Sequence, residues 1–218
     1  MKTAKISATN QEFPIGKIVC LARNYAEHAR ELGNETPAAP VLFMKPASSV
    51  IGDGDTVQIP TYSQECHYEV ELAVLIGKQC RGVSAGKALE YVAGYGVGID
   101  MTLRDVQNQL KAKGLPWEIA KGFDTSCPLS DFVPVGVVAD PHALNLKLAV
   151  NGEVRQDGSS SDMINRIPQI IAHISAIFTL EPGDVILTGT PAGVGQVRAG
   201  DVMTAEIGTV GRLTIPVA

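Results

Sequence analysis

Two glutamates and an aspartate carry the most chemical information in this sequence. In CHYEVELAVLIG, strand alternation puts His67, Glu69, Glu71, Ala73 and Leu75 on one face and Tyr68, Val70, Leu72, Val74 and Ile76 on the other. The second face is apolar apart from one hydroxyl. The first begins acidic and ends apolar, so it too reads as at least half buried. Carboxylates two residues apart on a strand sit about 7 Å from each other and repel in such surroundings unless a cation neutralises them. The competing reading is an antiparallel strand whose glutamate face meets water. Asp100 ends the run GYGVGID where a strand hands over to a helix, a place where side chains often point into a cleft. Its plainer role would be to cap that helix. Three carboxylates without clustered His or Cys form an all-oxygen donor set, which suits magnesium or manganese, or calcium, rather than zinc or copper.

His28 and Glu31 stand three apart on a short helical segment and so share a face, where the carboxylate can orient the imidazole as a general base. A solvated surface pair is the alternative. Arg104 and Gln107 share a face one turn past Asp100. Lys121 in EIAKGFD and Lys45 in LFMKPAS stand in apolar or proline-containing surroundings. These groups can bind a carboxylate, or can be surface charges. The loop TGTPAGVG over 188–195 can offer backbone N–H groups, Gly189 among them, and the Thr190 hydroxyl to an anion, or be a tight turn. It lacks the Gly-Lys-Ser/Thr ending of a phosphate-binding loop, and Gly94, Gly96 and Gly98 do not make a dinucleotide fingerprint.

Positioning these groups falls to a β-rich chain. Strand patterns cover 17–21, 41–44, 68–76, 94–99, 144–150, 184–188, 202–207 and 212–217. Asn151-Gly152 joins two of them as a hairpin into 153–156, since both residues tolerate positive φ. Helices are short. Asn24 with Glu27 reads as a capping box for 25–32, ended by Gly33, and Thr102 with Asp105 as the cap of 103–112, ended by Gly114 and Pro116. An isoleucine stripe from Ile164 to Phe178 contains Pro168 and reads as a kinked or two-piece core helix.

Composition sets the outer bounds. The 218 residues fit one domain, read as 1–218 with 1–16 as an N-terminal extension. Apolar residues at 45% and charged residues at 19% argue for a globular chain, while 22 Gly and 13 Pro argue against a helical bundle. With 18 basic and 23 acidic residues the net charge is −5, and the cations are scattered, so nucleic acid is not an expected partner. No apolar run reaches the roughly 20 residues needed to cross a bilayer, so no membrane association is expected. The start MKTAKISATNQEF has no signal-peptide h-region, which places the protein in the cytoplasm. Cys20, Cys66, Cys80 and Cys127 lie far apart among apolar neighbours and read as buried reduced thiols.

Seven segments in order, RNYAEHARELG, PVLFMKP, HYEVELAVLIGK, GYGVGIDMTLRDVQ, GLPWEIAKGFDTSCP, VNGEVRQDG and VILTGTPAGVG, resemble the fumarylacetoacetate hydrolase family from about Ile18 to the C-terminus. The likeness is greatest to its short, single-domain acylpyruvase branch, which includes fumarylpyruvate hydrolase-like proteins. The resemblance implies an α+β, β-dominated fold, a mixed β-roll or sandwich with short peripheral helices, assembled as a homodimer. It implies Glu69, Glu71 and Asp100 as ligands of one Mg2+ or Mn2+ ion, His28 with Glu31 as the water-activating dyad, and Lys121 near a developing enolate. Arg104, Gln107 and Thr190, and more loosely Gly189 and Lys45, would surround the carboxylate of a small 2-oxo-acid substrate. The further acidic ligand of larger family members has no counterpart here. The implied activity is hydrolysis of an acylpyruvate, such as acetylpyruvate or fumarylpyruvate, to pyruvate and a carboxylic acid. Oxaloacetate decarboxylation and isomerisation or hydration of a 2-hydroxydienoate would use the same enolate chemistry. Outside the family, a Schiff-base enzyme acting through Lys121 or a non-catalytic 2-oxo-acid binding protein are the alternatives.

Overall fold

A computed structural model describes residues 2–7, 9, 11–33 and 35–218. At its centre is a six-stranded mixed sheet in the order Val133–Pro134, Val92–Ile99, Val70–Ile76, Val185–Leu187, Lys17–Ala22, Val41–Pro46. Val185–Leu187 runs parallel to Lys17–Ala22 and antiparallel to Val70–Ile76. The β-rich fold class read from the sequence is the one observed.

Both faces of the sheet are covered. Leu72, Val74, Ile76, Val97 and Ile99 enter the larger core. There they join side chains of a four-stranded antiparallel sheet, ordered Glu153–Ser159, Asn145–Val150, Val202–Ile207, Gly211–Pro216, and of helix α4 (Ile167–Ile177). Ala73, Leu75, Ile18, Cys20 and Leu187 enter a second core with Leu129, Phe132 and the paired strands Thr3–Ile6 and Gln11–Pro14. Each fully buried Leu or Ile is worth roughly 1.5–3 kcal/mol, so two-sided burial anchors the strand that carries the acids. Glycine makes room beside it. Gly98 pairs with Glu71 across the ladder, and a Cβ there would stand 2.7 Å from Leu187 Cδ2.

The expected strand over 68–76 is in fact two. Cys66–Tyr68 belongs to a separate three-stranded sheet with Gly195–Val197 and Thr102–Leu103, and the chain changes sheets at Glu69. Its neighbour does the same, leaving the main sheet after Ile99 and joining the small one at Thr102. The crossings meet where the Asp100 N–H donates to the Glu69 carbonyl at 2.8 Å. Irregular backbone at two adjacent crossings thus aims both carboxylates into the same space.

Three local expectations are corrected. Helix α1 (Ala26–Glu31) has Tyr25 at its N-cap with no side-chain cap, because Asn24 is buried and spends its amide on backbone groups of Asn165 and Thr188. Helix α2 (Arg104–Ala112) begins after Leu103, also uncapped by a side chain. Thr102 Oγ1 instead accepts from Lys121 Nζ at 2.6 Å, while Asp105 accepts from Ser63 and from the N–H groups of Gln64 and Val106. Helix α4 is one piece, because Pro168 sits in its first turn, where a missing N–H costs nothing. The Asn151-Gly152 hairpin is present, with φ of 52° and 83°. No helix among the described residues is long and apolar enough to cross a membrane.

Candidate metal centre

Glu69, Glu71 and Asp100 are 5%, 1% and 1% exposed, which overturns the reading of a solvated glutamate face. One carboxylate oxygen from each lies within 4.8 Å of the others, and Asp100 caps no helix. Such a cluster survives only with compensation. Arg104 pairs with Glu69 Oε1. Lys121, on helix α3 (Glu118–Lys121), donates to Glu69 Oε2 at 3.0 Å, Asp100 Oδ2 at 2.5 Å and the Thr102 hydroxyl. Burial alone would raise the Glu69 pKa, but Lys121 and Arg104 hold it well below the ordinary carboxylate range. Among the described residues Glu71 has no such ion-pair partner. It accepts one N–H, from Gly189 at 2.6 Å, and burial followed by Asp100 and Glu69 pushes its pKa well up.

The donor set fits a hard divalent cation on two observations of its own geometry. Glu71 is a buried acid beside two others. Asp100 Oδ1 is buried without a hydrogen bond: Lys45 Nζ lies 2.8 Å away, but at an angle that makes none. Three carboxylates and oxygen-only chemistry suit magnesium or manganese.

Neither lysine is a surface charge, and the two stand in different places. Lys45 is 1% exposed and does not border the cavity; its ammonium donates to the carbonyls of Met101, Lys121 and Ser126. Lys121 borders the cavity with all three protons engaged, and although burial opposes its charge, Asp100 and Glu69 raise its pKa above the ordinary lysine value. An amine so held has no lone pair for a carbonyl, which disfavours the Schiff-base alternative.

A tight cavity of about 40 Å³ adjoins the cluster, bordered by Glu69, Glu71, Arg104, Gln107, Lys121, Thr190 and His28. His28 is 6% exposed, and its Nδ1 lies 3.3 Å from Glu31 Oε2. Glu31 is steadied by the Gly193 N–H at 3.1 Å. The 188–195 loop therefore turns its Gly189 and Gly193 N–H groups to the protein's own carboxylates, and only Thr190 faces the cavity. Arg104 is held in turn by Gln107 Oε1 at 2.7 Å and His67 Nδ1 at 3.4 Å. Burial and the neighbouring Arg104 keep the His67 pKa low, as suits an acceptor.

Sequence reading missed several groups here. Lys111 borders the cavity and continues the helical spacing of Arg104 and Gln107, a signal that was readable. Burial, then Arg23 and Arg104, lower its pKa. Arg23, also on the cavity wall, carries a φ of 59°, which no sequence pattern announces. Trp117 and Phe43 form an aromatic side wall with ring centroids 6.0 Å apart. All four cysteines are buried and free, and burial pushes the Cys66 and Cys127 thiols up to about 12, so no thiolate is available for catalysis.

Residues 17–218 match the family model for the fumarylacetoacetate (FAA) hydrolase C-terminal domain. The mitochondrial oxaloacetate tautomerase FAHD1 of Bos taurus is 54% identical over 190 residues, 87% of this chain and 86% of the relative. The Arabidopsis thaliana protein of the same name is 52% identical over 191 residues, 88% of this chain and 86% of the relative. Among solved structures, fumarylpyruvate hydrolase from Pseudomonas aeruginosa in complex with Mn2+ and pyruvate superposes with a TM-score of 0.95 at 37% identity, covering 100% of this chain and 95% of that one.

Proposed function

The chain belongs to the fumarylacetoacetate hydrolase family, and from that premise we propose that it is a metal-dependent tautomerase of a short 2-oxo dicarboxylic acid of the oxaloacetate type. The observation that carries this reading is a positioned imidazole–carboxylate pair on the same small cavity as the carboxylate cluster. Tautomerisation moves one proton between the enol oxygen and C3. It therefore needs a base that can give the proton back, with no second substrate. Glu31 takes up His28 Nδ1 and leaves the other ring nitrogen to exchange that proton. A Mg2+ or Mn2+ ion held by Glu69, Glu71 and Asp100 would supply the positive charge that favours an enolate. Lys121 adds a fixed ammonium beside the same charge, and Arg104, Gln107 and Thr190 hold the adjacent carboxylate.

Arg23 and Lys111 support a second carboxylate on the substrate. Both border the cavity as cations, and burial, then Arg23 and Arg104, lowers the Lys111 pKa. The cavity, at about 40 Å³, is far below the roughly 300–1,000 Å³ of pockets for drug-sized ligands, which limits the substrate to a small molecule. Relatives above 50% identity that bear the name oxaloacetate tautomerase agree with this class.

Acylpyruvate hydrolysis is the second reading, favoured by the likeness to the fumarylpyruvate hydrolase. There His28 and Glu31 would activate water toward the distal carbonyl. One assay separates the two: ketonisation of enol-oxaloacetate followed by ultraviolet absorbance, beside cleavage of acetylpyruvate and fumarylpyruvate, each with magnesium and with EDTA. The expected result is magnesium-dependent ketonisation as the fastest reaction, reduced about 10²- to 10⁴-fold in Glu31→Gln. Faster acylpyruvate cleavage would favour the hydrolase, and ketonisation at the uncatalysed rate would sink the tautomerase.

A further inference from the structure

We propose that Gln156 is a positioning residue that makes the Thr190 hydroxyl a one-way hydrogen-bond donor to the substrate carboxylate, an assignment that rests on the placement of Thr190 at that carboxylate proposed above. Gln156 comes from the far strand of the four-stranded sheet and is fully buried. Its amide can stand only one way round. Oε1 accepts from the Val70 N–H at 2.9 Å, and Nε2 donates to the Pro191 carbonyl at 2.9 Å and to Thr190 Oγ1 at 2.8 Å. A backbone N–H only donates and a carbonyl only accepts, so a flipped amide would set donor against donor and acceptor against acceptor.

The consequence falls on Thr190. Its Oγ1 must accept a proton from Gln156, and a hydroxyl has one proton of its own to give. No protein acceptor for that proton is found among the described residues, and Thr190, 2% exposed, borders the cavity. The proton is thereby committed to the ligand. A carboxylate oxygen is accepted, and a ligand group that can only donate meets a second donor. Without Gln156 the hydroxyl could rotate to either role, and that preference would vanish. Gln156 does not border this cavity itself, so it acts through Thr190.

The test uses manganese-loaded protein, with oxalate as the binding probe and oxaloacetate as the substrate, in wild type, Gln156→Met, Thr190→Val and the double variant. Each single change is expected to raise the oxalate Kd and the oxaloacetate KM about tenfold with kcat within about threefold, and the double variant to be no worse than Thr190→Val alone. A separate Mn2+ titration of Gln156→Met should give an affinity within about threefold of wild type, because the hydrogen-bond partners of Gln156 are Val70, Thr190 and Pro191 and not the three acids. Should Gln156→Met not fold, Gln156→Glu keeps the size and the acceptor for Val70 but turns the Thr190 proton toward itself, and should raise the oxalate Kd at least as much. An oxalate Kd unchanged in the Gln156 variants, or losses that multiply in the double variant, would overturn the proposal. Wild type that binds oxalate without ketonising oxaloacetate would refute the proposed function while the Gln156–Thr190 coupling is still read from oxalate. Wild type without affinity for oxalate would refute both.

Discussion

Lys45 and Lys121 both meet Asp100, yet their surroundings give them different tasks. Lys121 borders the cavity, while Lys45 is sealed behind it with its protons on three carbonyls and its charge 2.8 Å from Asp100. Removing one member of a buried ion pair costs about 3–5 kcal/mol because the other is left uncompensated. Lys45→Met should therefore show its main effect in urea unfolding, as a loss of that size, and the KM of the remaining folded enzyme should change little. A large KM increase at near-normal stability would return Lys45 to the substrate. The residue pattern alone distinguished neither role, since both lysines sit in similar apolar stretches, and only the family resemblance gave Lys121 the firmer place at the site. It did reveal the acids, because Glu69 and Glu71 interrupt a strand pattern that is otherwise apolar on both faces. Gln156 was invisible for the opposite reason: a single amide in an alternating hairpin strand looks solvent-facing until tertiary partners are known.

Helices and strands were legible to different degrees. Period-two runs of β-branched residues marked the strands of both main sheets, and Asn151-Gly152 marked their tightest turn, because these signals depend on neighbours in sequence. Helix starts were misread where the capping residue was taken by a distant partner, as with Asn24 and Thr102. Helix α4 shows a start that no pattern could reveal: the Ile167 N–H is accepted by His142 Nε2 at 3.1 Å, from 25 residues upstream. Burial lowers the His142 pKa, Asp140 partly offsets this, and Arg166 lowers it further. A folded pKa below the unfolded value, about 6.5, means that the unfolded chain takes up the proton first as pH falls. The stabilisation is thus complete above about pH 6.5 and is lost as pH falls through the lower folded value. His142→Gln keeps an acceptor without titrating. Between pH 7.5 and 5, the Tm of wild type should fall further than that of His142→Gln, at about 2–4 °C per kcal/mol for a chain this size. Parallel curves would show that this cap does not titrate with folding.

At the scale of the whole molecule, the carboxylate cluster sits where two sheets exchange strands. Glu69 and Asp100 are the crossing residues, and Glu71 belongs to a strand buried on both faces. A ligand that relieves repulsion there acts on the main sheet and the small one together, so its binding energy should reach global unfolding and not one loop. At a hundredfold excess over its Kd, a ligand specific to the folded state adds about 2.7 kcal/mol. That corresponds to a Tm rise of about 5–10 °C for a domain of this length. Magnesium or manganese should produce this rise in wild type, and the increment should disappear in Glu71→Gln, whose amide oxygen can still accept the Gly189 N–H and so keep the turn in place. Hydrogen exchange gives the spatial reading. Amides of Cys66–Tyr68 and of Val92–Ile99, in different sheets, should be slowed by the same factor when metal is added, because both would open only by the same global event. Slowing confined to the 188–195 loop, with Tm unchanged, would mean that the ion binds locally and that the strand crossings do not carry its energy into the fold.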